Sequence, residues 1–456
     1  MEAIKNLLRQ IVPRPVVRGW HWLGAVVANL IYFFPGRRLR VFAVTGTDGK
    51  TTTALLLHSI LTTARRKVGL MSTVRFSDGK ELWRNDTKLG TQNPFVLQRL
   101  LRRMVANRAT EAVLEVTSIG LDQHRIWGIP IDTAILTNVT SDHLEYHHTK
   151  EAYRQAKETL FVLPHRVSVV NGDDPSAAVF LSYPAVRKLA FRVKGTSRSS
   201  FTSEESPPAG GSTSQVSPER LDVVARGVRV SLRGTRFRLG LNGESAEVNL
   251  KLIGQFHVEN ALAAAAAAHG ANIPLDTIVS GLEALPASPG RMELVDHGQT
   301  YAIVLDYAHT PDALKKVFET LRPLVKGRII HVGGATGRRY PEKRPLLGAL
   351  AGRYADIVIV TDEDPYDEDP SAIMADVVAG VKKGAGQKSL EHGTNFFTIL
   401  DRAEAIRKAL SLAKATDLVL ITGKGDEEVM VVGSKLVPYS DRKVIEEVLE
   451  RSDVVR

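Results

Sequence analysis

Cysteine is absent from all 456 residues, which excludes disulfides, thiolate metal sites and cysteine nucleophiles but leaves histidine, carboxylate and other oxygen ligands open. Aromatic residues are sparse, at 6%, and no run of stacking or base-reading side chains accompanies the basic ones, so nucleic acid is not an expected partner. Acidic residues number 50 against 60 lysines and arginines, a net charge of +10 that suits anionic ligands without singling one out. A membrane-spanning run is missing too: the most apolar stretch, Trp22 to Phe34, has 13 residues, short of the roughly 18 to 20 that cross a bilayer. What remains, 43% hydrophobic and 24% charged, is the composition of a folded chain. Its length divides into about three domains.

Arg14 and Arg18 precede the apolar stretch, and Arg37, Arg38 and Arg40 follow it. Two readings stand: a hydrophobic helix packed on the next domain, or a peripheral membrane contact through residues 20-36 lying on an anionic surface. No small-residue cleavage site follows, so export is not expected.

Leu39 to Thr45 reads as a buried strand, Gly46-Thr47-Asp48-Gly49-Lys50-Thr51-Thr52-Thr53 as a tight turn, and Ala54 to Thr63 as a helix. This order presents backbone N–H groups and a helix N-terminus to phosphates. The glycines let the backbone approach the ligand, Lys50 reaches the terminal phosphates, and Thr51 or Thr52 ligates magnesium. Val44 stands where the usual pattern has glycine. Two further apolar strands, Ala112 to Thr117 and Thr133 to Asn138, carry or lead to Glu115, Asp142 and His143. Strand ends of a parallel sheet converge on the ligand, so Glu115, Asp142 and His143 are expected around a phosphate-bound magnesium. His147 and His148 are read as surface residues.

Residues 197-220 hold little that forms a core and read as a flexible loop. Leu221 to Leu252 alternates like short antiparallel strands. A helix starts near His257 and runs through an alanine-rich packing surface, with Gln255, His257 and Asn260 at its front. Beyond Pro286 to Gly290, strands at 302–306, 327–332, 357–360 and 418–421 alternate with helices, the pattern of a second doubly wound domain. Arg338, Arg339, Lys343 and Arg344 gather after a glycine-rich turn, facing either an anionic substrate or the far side of a nucleotide. The expected fold is α/β. A short apolar, basic helical segment (1-38) precedes a central P-loop ATPase-like parallel-sheet domain with an antiparallel extension (39-290), and a C-terminal doubly wound α/β domain follows (291-456).

In order along residues 41 to 442, the phrases VTGTDGKTTT, LEVTSIGLDQHR, TNVTSDHLEYH, AYRQAKETLF, GQFHVENALAA, GRME, LDYAHTPDAL, EKRP, ITGKGDE and YSDR resemble the Mur ligases, most closely the branch that adds the third residue of the stem peptide. The resemblance implies a cytoplasmic, ATP-dependent amide-forming ligase of peptidoglycan synthesis, acting on a muramoyl-peptide acceptor and a free amino acid with ATP and two Mg2+ ions. An acceptor carboxylate takes the γ-phosphate, and the amine then displaces phosphate from the acyl phosphate. It further implies that Glu115 and His143 ligate metal and that Lys157 does so as a carbamate. Asn260, Arg291, Asp306 and His309 correspond to nucleotide positions. Thr91, Asn93, Thr117, Ser118, Gln123 and Arg125 correspond to acceptor positions, and Arg339, Lys343, Asp364, Tyr366, Gly423 and Asp426 to amino-acid positions.

Departures from the family bear on the substrates. The uridine-nucleotide-binding domain that usually precedes the ATPase domain is not expected here, since only about forty residues come before the phosphate loop. Thr91-Gln-Asn-Pro94 replaces Thr-Thr-Pro, and Ile119 replaces a histidine. Glu363-Asp-Pro-Tyr366 replaces the Asp-Asn-Pro-Arg whose arginine pairs with the distal carboxylate of diaminopimelate. With Asp364, Asp367, Glu368 and Asp369 there, lysine or another basic amino acid is the expected substrate. A lipid-linked muramoyl peptide, a poly-glutamate-type acceptor and a non-catalytic nucleotide-binding scaffold are the alternatives.

Overall fold

The computed structural model describes residues 14–85, 87, 89–140, 144–194, 221–286, 290–338 and 340–453. The flexible loop expected at 197-220 lies outside them. Two compact units emerge: one holds residues up to Arg229 with Thr235–Leu250 and Gln255–Leu285, the other Val230–Gly234, Lys251–Gly254 and Pro286–Arg456.

Eleven strands form the first unit's sheet: β1 (Arg40–Thr45), β2 (Val68–Met71), β3 (Arg75–Asp78), β4 (Leu82–Arg84), β5 (Glu111–Glu115), β6 (Thr133–Leu136), β7 (Val167–Asn171), β8 (Arg187–Val193), β9 (Leu221–Ser231), β10 (Gly234–Leu241) and β11 (Glu244–Leu250). Their order is β11-β10-β9-β8-β7-β6-β1-β5-β2-β3-β4. From β9 to β2 every neighbouring pair is parallel, while β3–β4 and β10–β11 pair antiparallel at the edges. The expected antiparallel extension joins the parallel sheet through β9, which runs parallel to β8, with β10 and β11 antiparallel beyond it. The middle strands are buried on both faces, so β1 is apolar at Val41, Phe42, Ala43 and Val44 without alternation. Val41, Ala43, Ala112 and Leu114 pack with Leu97, Leu101, Met104, Leu160 and Phe161 from the helices Pro94–Ala106 and Lys150–Val162. The helices Lys50–Thr63 and Phe256–Gly270 pack on each other as well as on the sheet, and Ala263 to Ala268 are all buried there.

The apolar amino-terminal stretch forms the helix Arg14–Tyr32, which packs on the helix Pro94–Ala106. Among the described residues no helix is long and apolar enough to cross a membrane.

The second unit's sheet comprises β12 (Glu293–Leu294), β13 (Ala302–Asp306), β14 (Ile329–Gly333), β15 (Ile357–Val360), β16 (Phe396–Thr398) and β17 (Leu418–Thr422), in the order β12-β13-β17-β14-β15-β16. All neighbours are parallel except β12 with β13. Side chains alternate between two cores. Val304, Ile329, Val358, Leu418 and Leu420 meet the helices Pro311–Leu321, Lys343–Tyr354 and Pro370–Ala385. Ile303, Ile330, Ile357, Val419 and Ile421 meet Arg402–Leu412 and Asp441–Asp453. Helices on both faces make this unit doubly wound.

Two of those helices approach at backbone distance. A Cβ added to Gly348 would sit 2.0 Å from the carbonyl oxygen of Val377, and one on Gly380 would sit 2.0 Å from that of Pro345. Gly352 and Gly384, one turn further along each helix, are obstructed in the same way.

Candidate active site

β1 ends at Thr45, and the chain turns into the helix Lys50–Thr63 at Gly49, whose φ of 81° favours glycine. Space demands glycine there too, because an added Cβ would lie 2.0 Å from the Oδ1 of Asn260, on the helix Phe256–Gly270. The residues after β6 hold the turn from the other side: Thr137 Oγ1 donates to the Asp48 carbonyl at 2.6 Å, and the Asp48 N–H donates to Asn138 Oδ1 at 2.9 Å. Lys50 Nζ donates to the carbonyls of Gly46 at 3.1 Å and Thr47 at 2.7 Å. Buried Lys157, from the helix Lys150–Val162, donates to the same Gly46 carbonyl at 2.6 Å. Its nitrogen lies 4.3 Å from the ring centre of Tyr153, whose hydroxyl donates to Thr47 Oγ1 at 3.0 Å. Two lysines therefore aim at one carbonyl of a loop that precedes a helix N-terminus, an arrangement that attracts anions.

Glu115, at the end of β5, is buried beside this turn. Its Oε2 accepts from Thr51 Oγ1 at 3.0 Å and from the Thr73 N–H at 2.8 Å, and its Oε1 accepts from Thr73 Oγ1 at 2.9 Å. Hydroxyl and carboxylate oxygens next to a phosphate loop fit a hard cation such as magnesium. Asp142 and His143, expected in the same cluster, lie outside the described residues.

A polar patch adjoins Glu115. Thr91 Oγ1 donates to the Glu115 carbonyl at 3.2 Å and accepts from the Thr117 N–H at 2.8 Å. Arg125 donates to the Thr91 carbonyl at 2.5 Å and to Gln123 Oε1 at 2.7 Å. Ser118 Oγ lies 3.0 Å from His147 Nε2.

In the second unit, Asp306 at the end of β13 accepts from the N–H groups of Met292 and Ala308, both at 2.7 Å. Burial still raises its pKa, against those two bonds and nearby Arg291. Met292 adopts a φ of 47°, so Asp306 holds a strained turn in place. That turn aims Arg291, whose guanidinium is 5.3 Å from the Tyr307 ring centre, and His309 meets the same ring at 4.7 Å. Lys343 Nζ donates to the His309 carbonyl at 3.2 Å.

Further along the strand ends, Lys424 Nζ is buried between Asp364 and Glu427, 2.7 Å from each. Asp364 also accepts from the Val431 N–H at 2.9 Å. The Glu363 carboxyl presses on Gly423, where an added Cβ would be 2.2 Å from its Oε2. Burial pushes the Glu363 pKa up to about 7, with Arg402 opposing.

Sequence models of two domains match this chain: Mur ligase middle domain over residues 44–268, and Mur ligase, glutamate ligase domain, over residues 290–425. A UDP-N-acetylmuramyl-tripeptide synthetase of Roseiflexus sp. (strain RS-1) is 38% identical over 433 residues, covering 91% of this chain and 80% of that protein. The chain is a Mur ligase. A UDP-N-acetylmuramoyl-L-alanyl-D-glutamate--2,6-diaminopimelate ligase of Geobacillus kaustophilus (strain HTA426) is 37% identical, covering 92% of this chain and 81% of that one. A solved structure of a ligase of that same description superimposes with a TM-score of 0.65 at 31% identity, covering 91% of this chain and 79% of the other. The family resemblance and the α/β architecture read from sequence agree with these matches, and the family forms amide bonds with ATP and Mg2+.

Within this Mur ligase, the first unit brings Gly46, Thr47, Asp48, Gly49, Lys50, Thr51, Lys157, Glu115 and Asn260 together, and sets Thr91, Thr117, Ser118, Gln123 and Arg125 beside Glu115. Thr52 is buried in the first turn of its helix. Asn93 is exposed, and its Oδ1 accepts from the Val96 N–H at 3.1 Å and caps the helix Pro94–Ala106. His147 is a correction. It is buried against Ser118 and the Tyr153 ring instead of lying at the surface.

The carboxylates expected to favour a basic amino acid each have a partner in the structure, two of them through a cation shared with a second carboxylate. Asp364 pairs with Lys424, Asp367 with Arg338 and Glu368 with Arg344, while Asp369 caps the helix Pro370–Ala385. Arg338 additionally lies 5.9 Å from the Tyr366 ring centre. Arg339 lies outside the described residues, and Asp426 is half-buried. Sequence reasoning missed Thr73 and Tyr153. Thr73 follows β2 at the same sheet end as Glu115, and Tyr153 precedes Lys157 by one helical turn, so strand-end position and i, i+4 spacing were the available signals.

Proposed function

We propose that this Mur ligase adds one amino acid to a muramoyl peptide in peptidoglycan precursor synthesis, through an acyl phosphate formed with the γ-phosphate of ATP. The convergence of Lys50 and Lys157 on the Gly46 carbonyl, beside the Thr51–Glu115 pair, carries this reading. The turn from Gly46 to Thr52 cradles the phosphates, and Lys50 follows the charge that develops on the transferring group. Thr51, Glu115 and His143 hold magnesium, which neutralises phosphate charge when bound. Lys157 as an ammonium has no lone pair to offer a metal; after losing one proton its amine can add carbon dioxide and release a second, and the resulting carbamate oxygens would be ligands for a second ion.

Asn260, Arg291 and His309 are assigned to the nucleotide, with Asp306 setting the turn that carries Arg291. Thr91, Asn93, Thr117, Ser118, Gln123 and Arg125 are assigned to the acceptor, Asn93 also capping the helix Pro94–Ala106. Arg339, Lys343, Tyr366, Gly423 and Asp426 are assigned to the incoming amino acid. Asp364 is assigned to the same site, where it also pairs with Lys424. The enzyme works in the cytoplasm, and residues 20-36 give it a peripheral contact at the inner face of the membrane. The bare apolar side of that segment favours a second acceptor, a lipid-linked muramoyl peptide.

Mass measurement of products from ATP, magnesium, a dipeptide-bearing UDP-N-acetylmuramate and a mixed amino-acid pool tests the reading. A gain of one amino-acid residue is expected, and its mass identifies the amino acid. ATP binding with no adduct on this acceptor, but an adduct on its lipid-linked counterpart, would transfer the assignment to the second reading. ATP binding with neither adduct would leave a non-catalytic scaffold.

A further inference from the structure

The helix Arg14–Tyr32 has two unlike sides. One is fixed to the first unit: Ala25 and Ala28 are buried, Asn29 Nδ2 donates to the Trp127 carbonyl at 2.8 Å, and Trp22 meets the Trp127 ring edge-on at 5.8 Å. Val16, Trp20, Leu23, Val27, Leu30 and Ile31 make up the other, at steps of three and four that line up as one stripe. All six are exposed, Trp20 by 75%, and Phe33 just beyond the helix by 76%. From Trp20 to Ile31 the stripe runs about 17 Å along the axis, far shorter than a bilayer is thick and suited to lying flat in its interface.

Charge distinguishes the possible occupants. Residues 14–40 and 94–108, covering this helix, the turn after it and the helix it packs on, hold nine arginines and not one aspartate or glutamate. Arg37, Arg38, Arg99 and Arg102 are exposed, with Arg37 lying 4.3 Å over the Phe34 ring and Arg102 5.8 Å over that of Phe33. A second copy of this face would set Arg37, Arg38, Arg99 and Arg102 against their own like charges, since the neighbouring carboxylates Asp122, Asp132, Asp78 and Glu81 are engaged by Arg18, Arg40 and Arg103. Anionic lipid supplies both an apolar layer for the stripe and negative headgroups for the cations around it.

We infer that the Arg14–Tyr32 helix lies in the plane of an anionic bilayer surface, with Trp20, Leu30 and Phe33 inserted and Arg37, Arg38 and Arg102 at the headgroups. This deepens the membrane contact proposed above and does not depend on the ligase reaction. Because the helix is packed on the first unit through its opposite side, it docks as a rigid edge of that unit.

The test is flotation of the full chain with vesicles of phosphatidylcholine alone or containing about one-third phosphatidylglycerol. Recovery with the anionic vesicles should exceed that with the neutral ones by at least about tenfold and fall at high salt. The triple variant Trp20→Ser, Leu30→Ser, Phe33→Ser should stay in the soluble layer with an unchanged melting temperature, and Arg37→Glu with Arg38→Glu should lose most of the binding. Failure of the native chain to float, or equal flotation of the triple variant, overturns the inference. So does a concentration-dependent dimer that the triple variant abolishes, which would assign the stripe to self-association. Ligation of a soluble acceptor, assayed in parallel, should survive in both variants; its absence from the native chain alongside intact vesicle binding would refute the proposed reaction and leave this inference standing.

Discussion

Lys157 and Gly46 are 111 positions apart, yet the lysine nitrogen lies 2.6 Å from the glycine carbonyl oxygen, inside the turn that also presents Lys50. If that nitrogen works as a carbamate, Lys157→Ala should lower turnover by at least about a hundredfold, the scale of removing one charge-stabilising group from an active site. Added short carboxylates should restore part of the rate, and depletion of carbon dioxide should slow the native enzyme. Full activity of the variant in carbon-dioxide-free buffer would remove Lys157 from the mechanism.

Glu115 binds Thr51 and Thr73 through both carboxylate oxygens. Glu115→Gln keeps the shape and an acceptor oxygen but loses the negative charge. The magnesium concentration for half-maximal activity should rise by about 10- to 100-fold while the fold's melting temperature changes little. A magnesium titration of both proteins checks this, and coincident curves would exclude Glu115 as a ligand.

Acidity should leave a mark on stability at the ends of β15 and β17. Burial raises the Glu363 pKa from 4.5 to about 7 and that of neighbouring Asp362 from 3.8 to about 6. Between the unfolded and folded values these two groups bind more protons in the native state than in the unfolded chain, so their contribution to stability falls as pH rises through roughly 4 to 7, while buried His58 and His331, held down to about 4 and about 3, contribute in the opposite direction below pH 6.5. Glu363→Gln should flatten much of that decline. Urea unfolding at pH 5 and pH 8 measures it, and a native chain more stable at pH 8 by an amount the variant does not alter would contradict the assignment.

The glycine contacts between the helices Lys343–Tyr354 and Pro370–Ala385 make a stability prediction of their own. Gly380→Ala would place a methyl group 2.0 Å from the Pro345 carbonyl oxygen, forcing the helices apart at a cost of about 1–3 kcal/mol. Gly24→Ala, in a helix with nothing within 4 Å of the added carbon, should be neutral or slightly stabilising. Denaturant midpoints of the two variants should move apart.

Legibility in the sequence followed the range of the interaction. β1 and its turn were readable because an apolar run, two glycines and Lys50 are contiguous, and Glu115 was readable because it ends an apolar strand. The partners of the carboxylates at 364–368 were not readable because they are distant: Asp364 meets Lys424 across 60 positions, and Asp367 meets Arg338 across 29. His147 was misread for a related reason, since its partner Ser118 is 29 positions away and a histidine in a polar stretch shows no sign of burial. The parallel placement of β9 depends on sheet order, which local alternation does not encode.

Asp306 grips the N–H of Met292 with one oxygen and that of Ala308 with the other. The segment bearing Arg291 and the segment bearing His309 are thus two ends of a single rocker with one pivot. Neither can be re-aimed without disturbing the other, so turning either side chain to a new direction requires coordinated changes on both sides of the pivot.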